Sequence, residues 1–262
     1  MKPCIENEKE ATMKAVYRGV FAGIFCMMIP QLSLAYDEPD MGGLTVPSEL
    51  SSQQFNLSIT HRFYGKVDTV PFETIFGLDQ SANVDLKLRY ALRDRLELFT
   101  LYDIAQREFN IGASYAREFD PVFLNTQFNA QFYSINPRNG GERTGAFFLV
   151  SLQTLPIIDR IRVTADLGYD GYGDRFGLGT GLDVDVIGPF AIFGEYYPKL
   201  VVENDPLHSE NSFDFGFRIA TYGHLFSFFL GNNTLNETRN LMHGAADTGL
   251  RFGFTIYRLF GL

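Results

Sequence analysis

The stretch NVDLKLRY, residues 83–90, places Val84, Leu86, Leu88 and Tyr90 at alternate positions, with Asn83, Asp85, Lys87 and Arg89 between them. Alternate side chains of a β-strand leave opposite faces, so this segment needs one apolar neighbour and one that accepts charges of both signs. Two environments satisfy it: a packed core with water outside, or lipid outside with a wet interior.

The pattern recurs along the chain. QFNLSITHRF sets Phe55, Leu57, Ile59 and Phe63 against Asn56, Ser58, Thr60 and Arg62, and FNIGASYA sets Phe109, Ile111, Ala113 and Tyr115 against Asn110, Gly112 and Ser114. RIRVTADLGY, FGLGTGLDVDV, SFDFGFRI and the closing LRFGFTIYRLF repeat it. With less regular segments near 95–104, 143–153, 190–198 and 224–230, about twelve strands of roughly ten residues are expected, a length suited to a tilted membrane-spanning strand. The links alternate between long and tight, with one exception, the short link at Ala105-Gln106. Residues 65–80, 136–142, 199–211 and 231–247 are long, while Arg93-Asp94, Asp120-Pro121, Gly188-Pro189 and Tyr222-Gly223 are tight. Outer-membrane barrels show this asymmetry, and an even strand number leaves both termini on the periplasmic side.

The first 35 residues are set apart. Lys14 and Arg18 precede an apolar run from Val20 to Ile29, and Ser33-Leu34-Ala35 is a small-x-small exit, the pattern of a secretory signal peptide cut after Ala35. Met13 is an alternative start to Met1, since three glutamates stand between them. Ile24 and Phe25 ahead of Cys26 argue against lipidation there. The only cysteines, Cys4 and Cys26, precede the cut, so cysteine catalysis and disulfides are excluded from the mature chain. Removing residues 1–35 leaves 18 Lys and Arg against 28 Asp and Glu, a formal charge of −10, which argues against nucleic acid as a partner. The expected organisation is therefore a signal peptide (1–35), an N-terminal periplasmic segment (36–52) and an antiparallel transmembrane β-barrel (53–262).

SITHRFYG, ETIFGLDQSANVDLKLRYALRDRLEL, TYGHLFSFFLGNN and GLRFGFTIYRLF give the chain a resemblance to a bacterial β-barrel family, the domain of unknown function 5777, common in Bacteroidota. Its most specific pieces are His61, Arg62 and Phe63, the Phe76-Gly77-Leu78-Asp79-Gln80 block, and Gly223 with His224. The resemblance implies an outer-membrane barrel and brings no activity with it. Arg258 stands where barrel-assembly signals prefer an aromatic residue; the insertion machinery is nonetheless an expected partner, alongside outer-membrane lipid.

Chemistry-bearing groups are sparse. His61 shares the phase of the apolar row, either as a gate or as an amphipathic ring at the membrane interface, and the interfacial role is the simpler. His224 follows a turn glycine and reads as a turn-stabilising group or a docking residue. His208 and His243 lie on different loops with no metal-ligand spacing, and His208-Ser209-Glu210 is not a triad by sequence, so no enzyme activity, metal or cofactor is expected. The candidate lumen lining is Asp85, Lys87, Arg89, Glu97, Arg162, Asp166, Asp183, Asp185, Asp214 and Arg218. This mixture of signs suggests cross-barrel ion pairs filling the interior rather than a single-sign selectivity ring, with Asp183 and Asp185 solvated or paired with Arg162 or Arg218. Two functions remain: a conduit for small solutes or ions, or a closed structural or docking barrel acting through its outer loops.

Overall fold

The computed structural model describes residues 40–48, 50–69, 72–119, 124–136, 141–200 and 209–261. The expected signal peptide, the Asp120-Pro121 turn and His208 lie outside them. Twelve strands run β1 Gln54–Lys66, β2 Ala82–Arg93, β3 Leu96–Asp103, β4 Glu108–Phe119, β5 Leu124–Ile135 and β6 Arg143–Thr154. They continue as β7 Ile161–Asp170, β8 Arg175–Ile187, β9 Phe190–Tyr197, β10 Ser212–Thr221, β11 His224–Gly231 and β12 Arg251–Gly261. Each pairs antiparallel with its sequence neighbours, and β1 pairs β12, which closes the barrel. Closure leaves no sheet edge, the condition for strands to span a bilayer.

The opening stretch settles which face meets lipid. Leu86, Leu88 and Tyr90 are 41, 44 and 37% exposed, whereas Asp85 and Arg89 are 3% exposed. Apolar side chains point out of the barrel and ionic ones point in, the reverse of a water-soluble domain. Phe109, Ile111, Phe128, Phe132, Phe148, Phe176 and Phe215 continue the outward belt. Aromatic pairs across strands stiffen it, including Phe55 on Phe260 with ring centres 4.5 Å apart and Phe217 beside Phe228 at 5.3 Å.

The inward face is not uniformly polar. Tyr133, Phe147, Leu149, Phe193, Tyr197 and Phe229 point inward and are buried. They pack with Met41, Leu44, Val46, Leu241 and Met242 in one cluster. The barrel therefore has an apolar core inside its lumen, contributed partly by chain outside the strands.

Candidate functional site in the barrel lumen

Two segments occupy the lumen. Residues 40–48, which fall in the expected N-terminal segment 36–52, run along the inward wall. A segment with Met41, Leu44 and Val46 on a strand-free stretch gains burial only by packing against wall aromatics. Its backbone donors are taken by wall side chains: Gly42, Gly43 and Leu44 donate to the Glu195 carboxylate at 2.5, 3.0 and 3.2 Å. Thr45 donates to Asp166 at 2.9 Å and Ser48 to Gln127 at 2.8 Å, while Ser151 donates to the Thr45 carbonyl at 2.6 Å. An irregular backbone inside a membrane barrel is tolerated because the polar wall satisfies it.

The second segment is the β11–β12 link, which folds inward and carries the short helix α1, Thr238–Met242. Arg239 donates to both Glu108 oxygens at 2.8 and 2.7 Å and sits over the Tyr133 ring at 4.1 Å. Asn236 donates to Asp85 at 3.0 Å. Met242 fills space that side chains on the wall would deny it: a Cβ on Gly177 would stand 2.4 Å from the Met242 Cβ. Gly179 makes the same room for Leu44 of the first segment, whose Cδ1 would lie 2.7 Å from an added Cβ. The two segments meet where Thr238 donates to the Gly43 carbonyl at 2.5 Å, with Thr45 and Thr238 hydroxyls 3.3 Å apart.

All ten candidate lumen residues sit on the inward face, and Asp183 and Asp185 pair with Arg162 and Arg218 as expected, but the pairs run along the wall rather than across the barrel. Arg89 pairs with Glu97 at 2.5 Å and Arg162 with Asp183 and Asp185 at 3.0 Å each; Arg218 also reaches Asp183. These are contacts along the wall between strands that are adjacent or one removed. Lys87 instead meets Asp40 of the first segment at 2.8 Å, and Asp166 meets Thr45. The centre is thus filled by chain rather than by ion pairs spanning it. Arg62, Glu108 and Glu195 were not singled out by sequence as lumen groups. Arg62 forks onto Asp214 at 2.6 and 2.8 Å, both side chains wholly buried, and also reaches Asn236. Strand parity alone would have found all three.

Of the resemblance positions, His61 faces outward and stacks on Phe254 at 4.7 Å, and Phe63 packs near Phe252. His61 is therefore part of the outer belt and not a lumenal gate. Gly77, Leu78, Asp79 and Gln80 form the β1–β2 link. Gly223, at φ 70°, permits the two-residue turn before His224, whose ring lies 2.9 Å from the Arg258 guanidinium. Arg258 also lies over the Phe260 ring. Ser209 donates to the Ala246 carbonyl. Among the described residues no group of three or more His, Cys, Asp or Glu side chains could hold a metal ion.

Between the two segments lie cavities of about 30 and 20 Å³, both lined by Lys87, Leu101, Glu237 and Thr238. Each has room for a water or two and none for a solute. Burial pushes the Glu237 carboxyl up to about 7, against the pull of Lys87 and Arg239 and with the push of Glu108 and Asp40. The docked loop keeps that proton where a freed loop, with its carboxyl near 4.5, has lost it. Docking is therefore strongest below about pH 4.5, weakens as pH rises from 4.5 to 7, and is flat above. Limited proteolysis of the β11–β12 link is expected to be faster at pH 8 than at pH 5, and Glu237→Gln is expected to remove the difference. Equal rates in the wild type would show that the carboxyl does not govern docking.

The family model for a membrane-bound β-barrel domain, DUF5777, matches residues 45–116 and 150–260. The chain belongs to that family. This DUF5777 protein is an outer-membrane β-barrel. Among solved structures it is similar to the KdgM porin, at 10% identity and a TM-score of 0.52, covering 78% of this chain and 99% of that one. It is also similar to the NanC porin, at 11% identity and 0.49, covering 79 and 100%. A third is the outer membrane phospholipase A of Escherichia coli, at 12% identity and 0.46, covering 88 and 96%. At such identities the KdgM likeness shows a fold, and the weaker two carry no argument. No curated protein matches the sequence.

Proposed function

We propose that this DUF5777 barrel is closed at rest and acts without catalysis as a structural or docking module of the outer membrane, presenting its outer loops. The carrying observation is the apolar cluster inside the lumen. Met41, Leu44, Val46, Leu241 and Met242 gain about 1.5–3 kcal/mol each on burial, together about 8–15 kcal/mol as an upper estimate. Thermal motion does not expel both segments against a cost of that size.

A second reading, a conduit opened when a trigger withdraws the segments, has its own support. The wall behind them includes Asn110, Ser114, Gln127, Gln131, Ser151 and Thr164, which would be wettable once uncovered. Planar-bilayer recordings separate the two. The closed reading expects a silent wild type, and steady single-channel steps from it would overturn that reading. The cysteine pair Thr45→Cys and Thr238→Cys joins the two segments where their hydroxyls stand 3.3 Å apart. Any conductance the wild type shows under a trigger is expected to vanish in the oxidised pair and return on reduction; unchanged conductance would mean that ions pass elsewhere.

A further inference from the structure

The β1–β2 link carries the most exposed aromatic among the described residues. Phe72 is 88% exposed, Ile75 60%, Phe76 48% and Leu78 38%. Phe72 and Phe76 pack edge to face with ring centres 5.7 Å apart. Ile75 and Phe76 are the first two residues of a 3-10 turn, Ile75–Gly77, at φ 48° and 57°. A β-branched residue rarely adopts that left-handed backbone, which persists only where its surroundings hold it. Here the hold is a backbone contact: a Cβ on Gly65 would lie 2.4 Å from the Gly77 carbonyl oxygen, and one on Gly77 equally close to that of Gly65.

The irregularity in β1 between Arg62 and Lys66 adds two residues and so keeps the strand's phase, which puts Gly65 on the outward side with Phe63, and the turn packs there on β1 and β12. From Phe55 to Phe63 the outward row of β1 rises about 19 Å along the membrane normal, at about 3.4 Å per residue and about 45° of tilt, while the apolar belt of such barrels is about 25 Å tall. The turn therefore sits where the belt is still one layer short. Phe63, Phe252 and Phe254 cluster on the β1–β12 pair at the same end of these strands. Glu73 and Asp79, both exposed in the same link, keep the turn at the headgroup boundary, since carboxylates do not enter hydrocarbon unpaired.

We propose that residues 72–78 form a lipid-binding anchor, with Phe72, Ile75 and Phe76 inserted among the acyl chains of the outer leaflet beside the β1–β12 seam. The side chains are exposed because their partner is lipid, and the left-handed pair aims them away from the barrel.

The chain has no tryptophan, so one introduced residue reports alone. Phe72→Trp and, separately, Phe76→Trp are placed in full-length barrels in lipid bilayers, with Phe128→Trp from the middle of the belt as reference. Folding is checked by heat-dependent gel mobility, and Phe72→Trp, the more exposed site, serves if Phe76→Trp does not fold. The anchor predicts strong quenching by lipids brominated near the head of the acyl chain, weaker quenching by deeply brominated lipids than at Phe128→Trp, and protection from iodide. Quenching by iodide with none from brominated lipid would place the turn in water and overturn the proposal. Protection from both quenchers would overturn it too, by showing a protein cover such as a second copy.

Discussion

A chain lacking residues 40–48 is expected to conduct ions steadily in planar bilayers in which the intact barrel is silent. These residues close the lumen from the side of the termini, and without them the Glu195 carboxylate, Asp166, Gln127 and the pocket beside Gly179 lose their occupants. Losing the burial of Met41, Leu44 and Val46 costs about 5–9 kcal/mol of stability. The barrel hydrogen bonds do not involve the segment, so the heat-modifiable band is expected to survive at a lower transition temperature. The α1 link loses its contact at Gly43 and Thr45 but keeps Arg239 on Glu108. Adding Arg239→Ala is therefore expected to raise the open fraction further. A truncated, folded and still silent barrel would show that the inward-folded link seals the lumen unaided, and the conduit reading would be withdrawn.

Arg62→Ala is expected to destabilise the folded barrel by about 3–5 kcal/mol, because it strands Asp214 as an uncompensated buried charge. The geometry makes the pair a unit: two parallel bonds at 2.6 and 2.8 Å, no exposure of either side chain, and the guanidinium 4.7 Å above the Phe229 ring. Asp214→Ala is expected to cost a similar amount. The double replacement Arg62→Met with Asp214→Leu is expected to cost less than either, since no charge is then left without a partner. Urea midpoints in lipid vesicles measure all three. A double variant as unstable as the singles would show that shape at this site matters more than charge compensation. Arg62→Ala, unlike Asp214→Ala, also removes the bond by which Arg62 holds Asn236 at 3.2 Å, so in that variant the inward link should become more protease-sensitive.

How far the sequence could be read depended on which physical constraint acted on each residue. Lipid outside and polar groups inside impose a period of two, and the period in NVDLKLRY correctly placed Asp85, Lys87 and Arg89 inward and Leu86, Leu88 and Tyr90 outward. The strand number and closure followed from repeating that pattern. The filling of the lumen was not legible in this way. Residues 40–48 have no periodicity, because they are fitted to different parts of the wall. Doublets hid the apolar core: Phe147-Phe148, Tyr196-Tyr197 and Phe228-Phe229 put one aromatic on each face, and alternation cannot say that the inner one is covered. At the inward glycines Gly177 and Gly179 the absence of a side chain leaves space that alternation does not assign to any partner, and Met242 and Leu44 occupy it.

The two filling segments are attached to the same seam. Residues 40–50 lead directly into β1, the β11–β12 link leads directly into β12, and β1 with β12 is the pair that closes the cylinder. During insertion both segments are tethered to the two edges that meet, so each is held beside the seam as the edges zip. The segment ahead of β1 docks on Glu195 of β9 and the link ahead of β12 on Glu108 of β4, so the contents of the cylinder tie its closing edges to its far strands.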